Sequence, residues 1–242
     1  MIARMIKTKR EIKLLEKSAK ISNSCIKIIE QSLKEGKITE KEIVHRIRKK
    51  LKEQNARPSF RIIVACGKRS AMIHPKPRST DKLITGMGYV DFGACYKGYR
   101  TDITVPFVKG EIGKKERKII RTVLQAYKIA ITSIKIGMPC WKLYEKVDNF
   151  LKRRGFNMFH SLGHGIGLKI HEPPTIGMPK KLRNKKRLRW VRLKKIKFQE
   201  HMAFTIEPAI YVRGLGGCRI ENDFLLKNKR LKNLTDSNLI KV

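Results

Sequence analysis

Acidic side chains inside apolar segments constrain this chain more than any other feature of its sequence. The chain has 20 Asp and Glu among 242 residues, and four of them interrupt short apolar runs: Asp91, Asp102, Glu207 and Glu221. Burying an unpaired carboxylate is so costly that the group takes up a proton instead, so each of the four needs a partner. A fold that buries these segments must therefore supply that partner, and a metal ion is the commonest one for paired carboxylates.

The spacing of the first two carboxylates predicts that they lie close together. Asp91 and Asp102 are eleven residues apart, in segments 89–94 and 101–108 that have the composition of strands. The turn-like segment 96–98 separates the two segments and indicates a hairpin. A tight turn in such a hairpin brings both carboxylates to one end.

Four helices are predicted from capping signals and helical spacing. Thr8 with Glu11 and Thr39 with Glu42 are capping boxes, each followed by apolar residues three and four positions apart. The same spacing recurs after the hairpin, and short apolar runs near both ends of the chain suit strands. The further predicted helices are 114–136 and 141–151, and the further predicted strands are 62–66, 203–206, 210–212 and 224–226.

This order of elements indicates an α+β fold in a single domain over residues 1–242. Two helices followed by strands occur twice, which hints at a duplicated α/β half, although no sequence repeat supports it. No apolar run approaches the roughly 18 residues of a membrane span, and the basic N-terminus lacks the apolar core of a signal peptide. We therefore expect a cytoplasmic protein.

The strong positive charge has two explanations that the sequence leaves open. The chain carries 57 Lys and Arg against 20 acids, a formal net charge of +37. This favours RNA, ribosomes or other anionic surfaces as partners, but Lys outnumbers Arg 37 to 20, as a compositional bias would also give. The segment 180–197 holds 11 of these cations around Trp190 and is interpreted either as a solvated loop or as an RNA-docking insertion.

A histidine among glycines adds a nitrogen ligand to the four carboxylates. His164 lies in the sequence Ser-Leu-Gly-His-Gly-Ile-Gly, where the backbone can approach closely and the ring can project into a cavity. Four carboxylates with one imidazole suit Mn, Fe, Co or Zn in a two-metal site that activates water for hydrolysis.

The same residues carry a resemblance to a known family. The sequence resembles the pita-bread metallopeptidase superfamily, which includes methionine aminopeptidase, prolidase and aminopeptidase P, from about residue 7 to residue 226. The resemblance implies an α+β fold with a curved antiparallel sheet and helices packed on its outer face. The matching segments are 67–74, 91–94, 98–104, 163–168, 171–174, 205–208 and 219–221.

The resemblance also implies a role for each matching residue. Asp91 would hold one metal ion, His164 and Glu207 would hold the other, and Asp102 and Glu221 would bridge both. His74 and His171 would hydrogen-bond the scissile peptide, and Glu207 would also carry the proton from water to the leaving amine. Arg219 matches an arginine of the proline-specific branch and is assigned to the substrate.

Local motifs favour cleavage of Xaa-Pro bonds by an aminopeptidase or dipeptidase. Glu207 and Glu221 are 14 residues apart, a shorter connection than methionine aminopeptidases usually have. Three features oppose this assignment. The matching domain begins almost at Met1, Val105-Pro106 replaces the usual Arg-Thr, and the basic stretch 180–197 enlarges the loop between His171 and Glu207. The alternatives are a methionine aminopeptidase acting on nascent chains and a non-catalytic member that binds ribosomes or nucleic acid, and the oligomeric state stays open.

Overall fold

Two pairs of helices each pack on one β-sheet in the computed structural model, which describes residues 4–178 and 195–242. The first pair is α1 (Lys9–Lys34) and α2 (Glu40–Glu53), and the second is α3 (Lys114–Ser133) and α4 (Cys140–Lys152). A short 3-10 helix covers Gly67–Ala71. The strands are β1 (Arg57–Pro58), β2 (Ile63–Cys66), β3 (Gly86–Phe92), β4 (Ala94–Tyr96), β5 (Tyr99–Arg100), β6 (Ile103–Lys109), β7 (Gly163–Gly165), β8 (Glu172–Ile176), β9 (Ala203–Ile206), β10 (Ala209–Val212), β11 (Gly216–Arg219), β12 (Asn222–Lys227), β13 (Arg230–Asn233) and β14 (Ile240–Lys241).

The predicted helix starts are confirmed at atomic detail. The Thr8 hydroxyl accepts a hydrogen bond from the Glu11 backbone N–H, and the Glu11 carboxylate accepts one from the Thr8 N–H in return. Thr39 and Glu42 form the same reciprocal pair at the start of α2. These capping boxes satisfy backbone donors that a helix leaves free at its first turn.

Among the described residues, the strands form two larger sheets and two small ones. The strand orders are β14-β6-β3-β2 and β13-β12-β9-β7-β8, and the pairs are antiparallel except for the parallel pair β14 and β6. The smaller sheets are β1-β4-β5 and the hairpin β10-β11. The predicted hairpin is confirmed, because β3 pairs with β6 along their full length.

Side chains of β3 and β6 point alternately to the two faces of their sheet, so that one face packs on helices and the other is polar. Val90 and Phe92 of β3 lie in the cluster that packs under α1 and α2, as do Ile103 and Val105 of β6. Successive side chains of a strand point to opposite faces, so Asp91 points away from these helices. The face opposite the helices therefore carries the carboxylates.

A backbone bridge joins the two larger sheets at this face. Thr104 and Glu221 exchange backbone hydrogen bonds of 3.3 and 3.1 Å, one in each direction. Because Thr104 belongs to β6 and Glu221 immediately precedes β12, this bridge brings the polar faces of the two sheets together.

The sequence prediction missed strands that are rich in glycine and proline. No strand is predicted at residues 163–165 or 172–176, yet these residues form β7 and β8. A Cβ atom on Gly163 would lie 2.0 Å from the Thr205 carbonyl oxygen, and one on Gly165 would lie 2.1 Å from the Pro173 carbonyl oxygen. Glycine is needed here because the strands approach too closely for any side chain, a requirement that strand propensity does not express.

The basic stretch predicted at 180–197 lies outside the described residues except for residues 195–197. Its interpretation as an RNA-docking insertion therefore stays a prediction. Within the described ranges, no helix combines the length and the apolar character needed to cross a bilayer.

Candidate metal centre

The four carboxylates predicted from the sequence converge between the two sheets. Asp91 lies near the end of β3, Asp102 immediately precedes β6, Glu207 follows β9, and Glu221 lies between β11 and β12. Ligand oxygens of Asp91, Asp102 and Glu221 all lie within 4.8 Å of one another. Residues up to 130 positions apart in the chain are therefore close enough to share one metal centre.

His164 completes the arrangement from β7. Its Nε2 lies 3.5 Å from Oδ2 of Asp102 and 3.7 Å from Oε1 of Glu207. His164, Glu207 and Glu221 offer ligand atoms within 4.8 Å of one another, and a further group joins Asp102, His164 and His171. The residues expected to ligate metal are thus brought together, and among them Asp91 and Asp102 lie close to each other as their spacing predicted.

Burial makes this cluster electrostatically unfavourable on its own. Asp102 is 7% exposed and Glu221 is 2% exposed. Burial raises the pKa of Glu221 to about 8, and the adjacent Asp102 and Asp91 add to the shift. Burial, together with Asp91, likewise raises the pKa of Asp102 well above its usual value. The protein folds these carboxyls into a place where they ionise only with difficulty unless a cation accompanies them.

Two buried carboxylate oxygens that lack a hydrogen-bond partner among the described residues show whether a metal ion fits this site. Oδ1 of Asp91 and Oε1 of Glu221 are buried and have no hydrogen-bond partner among the described residues. Buried acceptors are normally satisfied, so each of these oxygens is expected to face an electron-pair acceptor. Carboxylate oxygens with one imidazole nitrogen are a donor set for divalent metal ions, so the residues present fit such ions.

Arg219 lies behind Asp91 and is held by several protein acceptors. Its Nη2 lies 2.5 Å from Oδ2 of Asp91, its Nε donates to Thr104 Oγ1 at 3.0 Å, and its Nη1 donates to the Tyr211 hydroxyl at 2.6 Å. The side chain is 4% exposed. Burial still raises the pKa of Asp91 although Arg219 opposes the shift. The structure shows Arg219 as a partner of Asp91, and its assignment to the substrate stays a prediction.

Two polar residues that orient the carboxylates were missed. Thr104 Oγ1 donates a hydrogen bond of 2.7 Å to Oε2 of Glu221, and the backbone N–H of Asp102 donates to the buried carboxyl of Asp223 at 3.1 and 3.3 Å. Thr104 and Asp223 each follow a predicted ligand by two positions. Residues two apart on a strand share a face, so the two-residue period could have identified both.

The carboxylates form one wall of a cavity of about 740 Å³. His74 and His171, expected to contact the substrate, both line this cavity. The ring of His171 packs against that of His164 at an interplanar angle of 56°, with centroids 4.2 Å apart. Burial lowers the pKa of both His74 and His171, so each imidazole is favoured in its neutral form.

A fourth histidine lining the cavity was also missed. His160 precedes His164 by four residues, and its Nδ1 lies 2.7 Å from the Ser161 carbonyl oxygen and 3.6 Å from Oε2 of Glu207. Its Nε2 lies 3.2 Å from the Tyr211 hydroxyl. Burial lowers the pKa of His160 to about 4, which keeps the ring neutral at neutral pH.

A buried ion pair holds the loop that carries His171. Lys7 Nζ lies 2.8 Å from Oε2 of Glu172, the residue after His171, and both side chains are at most 3% exposed. Oε1 of Glu172 accepts a hydrogen bond of 3.0 Å from the Lys169 backbone N–H. The segment before α1 is thus tied to the loop between β7 and β8.

Comparison with known proteins agrees with this geometry. Residues 13–228 match the model of metallopeptidase family M24. That match covers most of the chain, and the chain therefore belongs to this family. The pita-bread fold expected from the resemblance is confirmed by solved structures of the same fold.

Similar proteins include enzymes named for Xaa-Pro substrates. The Xaa-Pro dipeptidase of Pyrococcus furiosus is 35% identical over 237 residues, covering 96% of this chain and 63% of that protein. The solved prolidase from Pyrococcus furiosus has a TM-score of 0.84 at 34% identity, over 98% of this chain and 67% of that one. The X-Pro aminopeptidase from Thermotoga maritima MSB8 has a TM-score of 0.84 at 32% identity, over 100% of this chain and 66% of that one. The chain thus spans about 63% of the length of the curated relative.

Proposed function

We propose that this protein hydrolyses the peptide bond before proline in short Xaa-Pro peptides, with two divalent metal ions at the carboxylate cluster. The observation that carries the proposal is a group of buried carboxyls with two orphaned oxygens on the wall of a cavity. The names of the similar dipeptidase, prolidase and X-Pro aminopeptidase support the choice of substrate.

We assign the metal ligands as the resemblance implies. Asp91 would hold one ion, His164 and Glu207 the other, and Asp102 and Glu221 both, with Mn, Co, Fe or Zn as candidates. When bound, such ions lower the pKa of water and polarise the substrate carbonyl. The buried oxygens of Asp91 and Glu221 would then no longer be without partners.

The histidines in the cavity would position the scissile peptide. A neutral imidazole carries one N–H donor and one acceptor nitrogen, so His74 and His171 can each donate to the peptide carbonyl oxygen as it gains charge. Glu207 would carry the proton to the leaving amine nitrogen. In the metal-free fold, burial and the nearby Glu221 raise the pKa of Glu207 well above its usual value. As a metal ligand Glu207 would be ionised, and it could then accept a proton from water.

The remaining cavity wall suits a proline ring. Proline contributes an apolar ring and its peptide nitrogen has no N–H, so the site needs apolar contacts there and no hydrogen-bond acceptor for that nitrogen. The cavity is lined in part by apolar side chains: Phe60, Ile63, Ile73, Ile170 and Pro173.

The test is a peptide panel measured with Mn, Co, Fe or Zn added to chelator-treated protein. Xaa-Pro dipeptides should have a higher kcat/KM than Met-Ala or Met-Gly peptides, and chelation should abolish turnover. The opposite order would identify a methionine aminopeptidase. Failure to hydrolyse any peptide with any of the four metals would contradict the proposal and favour the non-catalytic alternative.

A further inference from the structure

A second groove lies away from the candidate metal centre, between α3 and the C-terminal segment that contains β14. It has a volume of about 710 Å³ and shares no described lining residue with the cavity beside the carboxylates. Six exposed cations line this groove, and no Asp or Glu is among its described lining residues. The cations are Lys114, Arg117, Lys118, Arg121, Lys128 and Lys241. The groove therefore has a strongly positive rim.

Aliphatic side chains form the floor of this groove. Leu124 of α3, Leu239 and Ile112 are half-buried there, and the buried Ile120 lies beneath them. The three half-buried side chains pack against the hydrophobic core with one side only, so the other side remains open to solvent. Apolar surface inside a groove is suited to apolar side chains of a partner.

The cations of α3 follow a single face of the helix. Residues three, four and seven positions apart lie on the same face, and this spacing relates Lys114, Arg117, Lys118, Arg121 and Lys128. From Lys114 to Lys128, a rise of 1.5 Å per residue gives a stripe about 21 Å long. A partner that contacts the whole stripe therefore needs about four turns if it is helical.

The positive rim is not neutralised by acids in the part of the chain that the structure describes. None of its six cations forms an ion pair there, whereas on α2 Lys41 lies 2.6 Å from Asp81 and Arg46 pairs with Glu35. The carboxylate of Glu116 accepts a hydrogen bond from a backbone N–H at the start of α3 and so caps the helix. Exposed cations of the same chain are thus balanced on α2 and unbalanced on α3.

Three of the cations lie at the end of α3 where the helix dipole opposes them. Lys114, Arg117 and Lys118 fall within the first five residues of α3, and its last turn has no basic residue. The N-terminus of a helix carries a partial positive charge, which favours anions nearby and disfavours cations. This arrangement is unfavourable in the free protein and becomes favourable when carboxylates of a partner lie beside it.

We infer that this groove binds an acidic amphipathic helix of a partner protein, with apolar side chains on the floor and carboxylates against the cationic rim. An amphipathic helix in a hydrophobic groove is a recurring mode of peptide recognition. Single-stranded RNA fits less well, because no aromatic side chain among the described lining residues can stack on bases. A membrane surface also fits less well, because the apolar groups lie between more exposed cations and do not protrude.

The experiment measures the binding of two synthetic peptides to the full chain by fluorescence anisotropy. One peptide is a helix of about four turns with Leu on one face and Glu on the other, and the second has the same composition in scrambled order. A label on the N-terminus also protects both peptides from N-terminal cleavage. The patterned peptide should bind at least about 10-fold more tightly, because only its Leu side chains can all reach the floor. Equal affinities would overturn the inference, since charge alone would then explain binding.

Two double variants separate this groove from the general positive charge of the protein. Arg121→Glu with Lys128→Glu reverses two rim charges and should weaken binding of the patterned peptide at least about 10-fold. Lys20→Glu with Lys27→Glu reverses two exposed charges of α1 at the same seven-residue spacing and should change Kd far less. Equal losses in the two double variants would mean that the peptide is attracted to the whole cationic surface, and the inference would be wrong.

Variants of Leu124 test the floor. Leu124→Ser should weaken binding of the patterned peptide about 10-fold and leave the scrambled peptide unaffected, whereas Leu124→Met keeps an apolar side chain and should bind like the wild type. Unchanged binding by Leu124→Ser would contradict the role of the floor. Should Leu124→Ser fold poorly, the rim variants with the two peptides still decide the matter.

Two other probes give the remaining occupants a fair trial. A uridine oligonucleotide and phosphatidylserine vesicles are measured with the wild type and with the variant that carries Arg121→Glu and Lys128→Glu. Weaker binding of both probes than of the patterned peptide is expected. If either probe binds more tightly than the peptide and loses affinity in that variant, the groove belongs to nucleic acid or to a membrane surface, and the inference is overturned.

Discussion

Two buried charge clusters in this protein differ in how their charges are balanced. Lys7 and Glu172 form one cluster, in which a cation and an anion 2.8 Å apart neutralise each other. The candidate metal centre is the other, where Arg219 pairs with Asp91 and no Lys or Arg of the described residues pairs with Asp102, Glu207 or Glu221. The first cluster is complete within the chain, while the second has more negative groups than the described cations can neutralise.

The difference indicates what each cluster does. A neutral buried pair can fix the geometry of two segments, here the N-terminal segment and the loop that carries His171. An excess of buried carboxyls destabilises the metal-free fold and creates affinity for a cation. Charge balance within the fold thus separates a structural ion pair from a candidate cation site.

The largest effect is expected from removing one carboxylate of the metal centre. Asp102→Asn keeps the shape of the side chain but removes a charge that metal ions need. Turnover should fall by more than the roughly 10- to 100-fold that loss of an outer-shell partner causes, and bound metal should decrease in elemental analysis. Asp81→Asn, at an exposed aspartate paired with Lys41, is the matched control and should change neither quantity. Wild-type metal content in Asp102→Asn would show that the cluster is not the metal centre.

The second-largest effect is expected from breaking the buried ion pair between Lys7 and Glu172. Lys7→Met removes the buried cation beside Glu172 and leaves only the more exposed Arg4, whose Nη1 lies 3.9 Å from Oε1 of Glu172. The free energy of unfolding should therefore fall by about 3 kcal/mol in chemical denaturation, the lower end of the usual loss for a broken buried pair. Glu172→Gln should be milder, because the amide oxygen can still accept from the Lys169 N–H. Unchanged stability of Lys7→Met would mean that the pair does not hold the N-terminal segment to this loop.

The third effect is the pH dependence of the metal-free protein. Glu221 has a pKa of about 8 in the fold against an ordinary value of 4.5, so the folded state binds more protons than the unfolded state between these limits. Its stabilising contribution is complete below pH 4.5 and is lost as the pH rises to about 8. The free energy of unfolding should therefore decline by a few kcal/mol over this interval, at about 1.4 kcal/mol per pH unit for one group.

Added metal should reverse this trend, because ligands must be deprotonated to bind. The melting temperature with saturating Mn should thus exceed that of the metal-free protein by more at pH 8 than at pH 6. If Mn raises the melting temperature by the same amount at pH 6 and pH 8, the carboxyls do not titrate in this range.

Much of this candidate site could be predicted because the residues expected to ligate metal follow simple rules. Asp91 and Asp102 fall on a hairpin whose pairing is determined by local alternation, and Thr8 and Thr39 begin helices through contacts three residues away. The partner of a buried group is harder to predict. That Lys7 meets Glu172, 165 positions later, depends on how the two sheets join, which no local pattern contains.

The strands β7 and β8 were missed because close approach between backbones, like the partner of a buried group, cannot be predicted from local sequence. β7 and β8 have glycines and prolines in place of typical strand residues, since Gly163 and Gly165 face carbonyl oxygens of neighbouring strands. Such closeness follows from the assembled sheet and not from the propensity of the segment. His160 was missed for a similar reason, because its contact with Glu207 is apparent only once β9 lies beside β7.

The smallest effect is expected at an exposed ion pair whose N–O distance is nearly the same as that of the buried Lys7–Glu172 pair. Lys232 Nζ lies 2.7 Å from Oε1 of Glu16, with side chains 52% and 28% exposed, while the Lys7–Glu172 distance is 2.8 Å. If distance determined the contribution of an ion pair, Lys232→Met and Lys7→Met would destabilise the protein equally. Water and salt screen the exposed pair, so Lys232→Met should lower the free energy of unfolding by less than about 1 kcal/mol. Denaturation of both variants in parallel at low and high salt measures this directly, and a salt-independent loss in Lys232→Met as large as that in Lys7→Met would show that burial does not separate the two pairs.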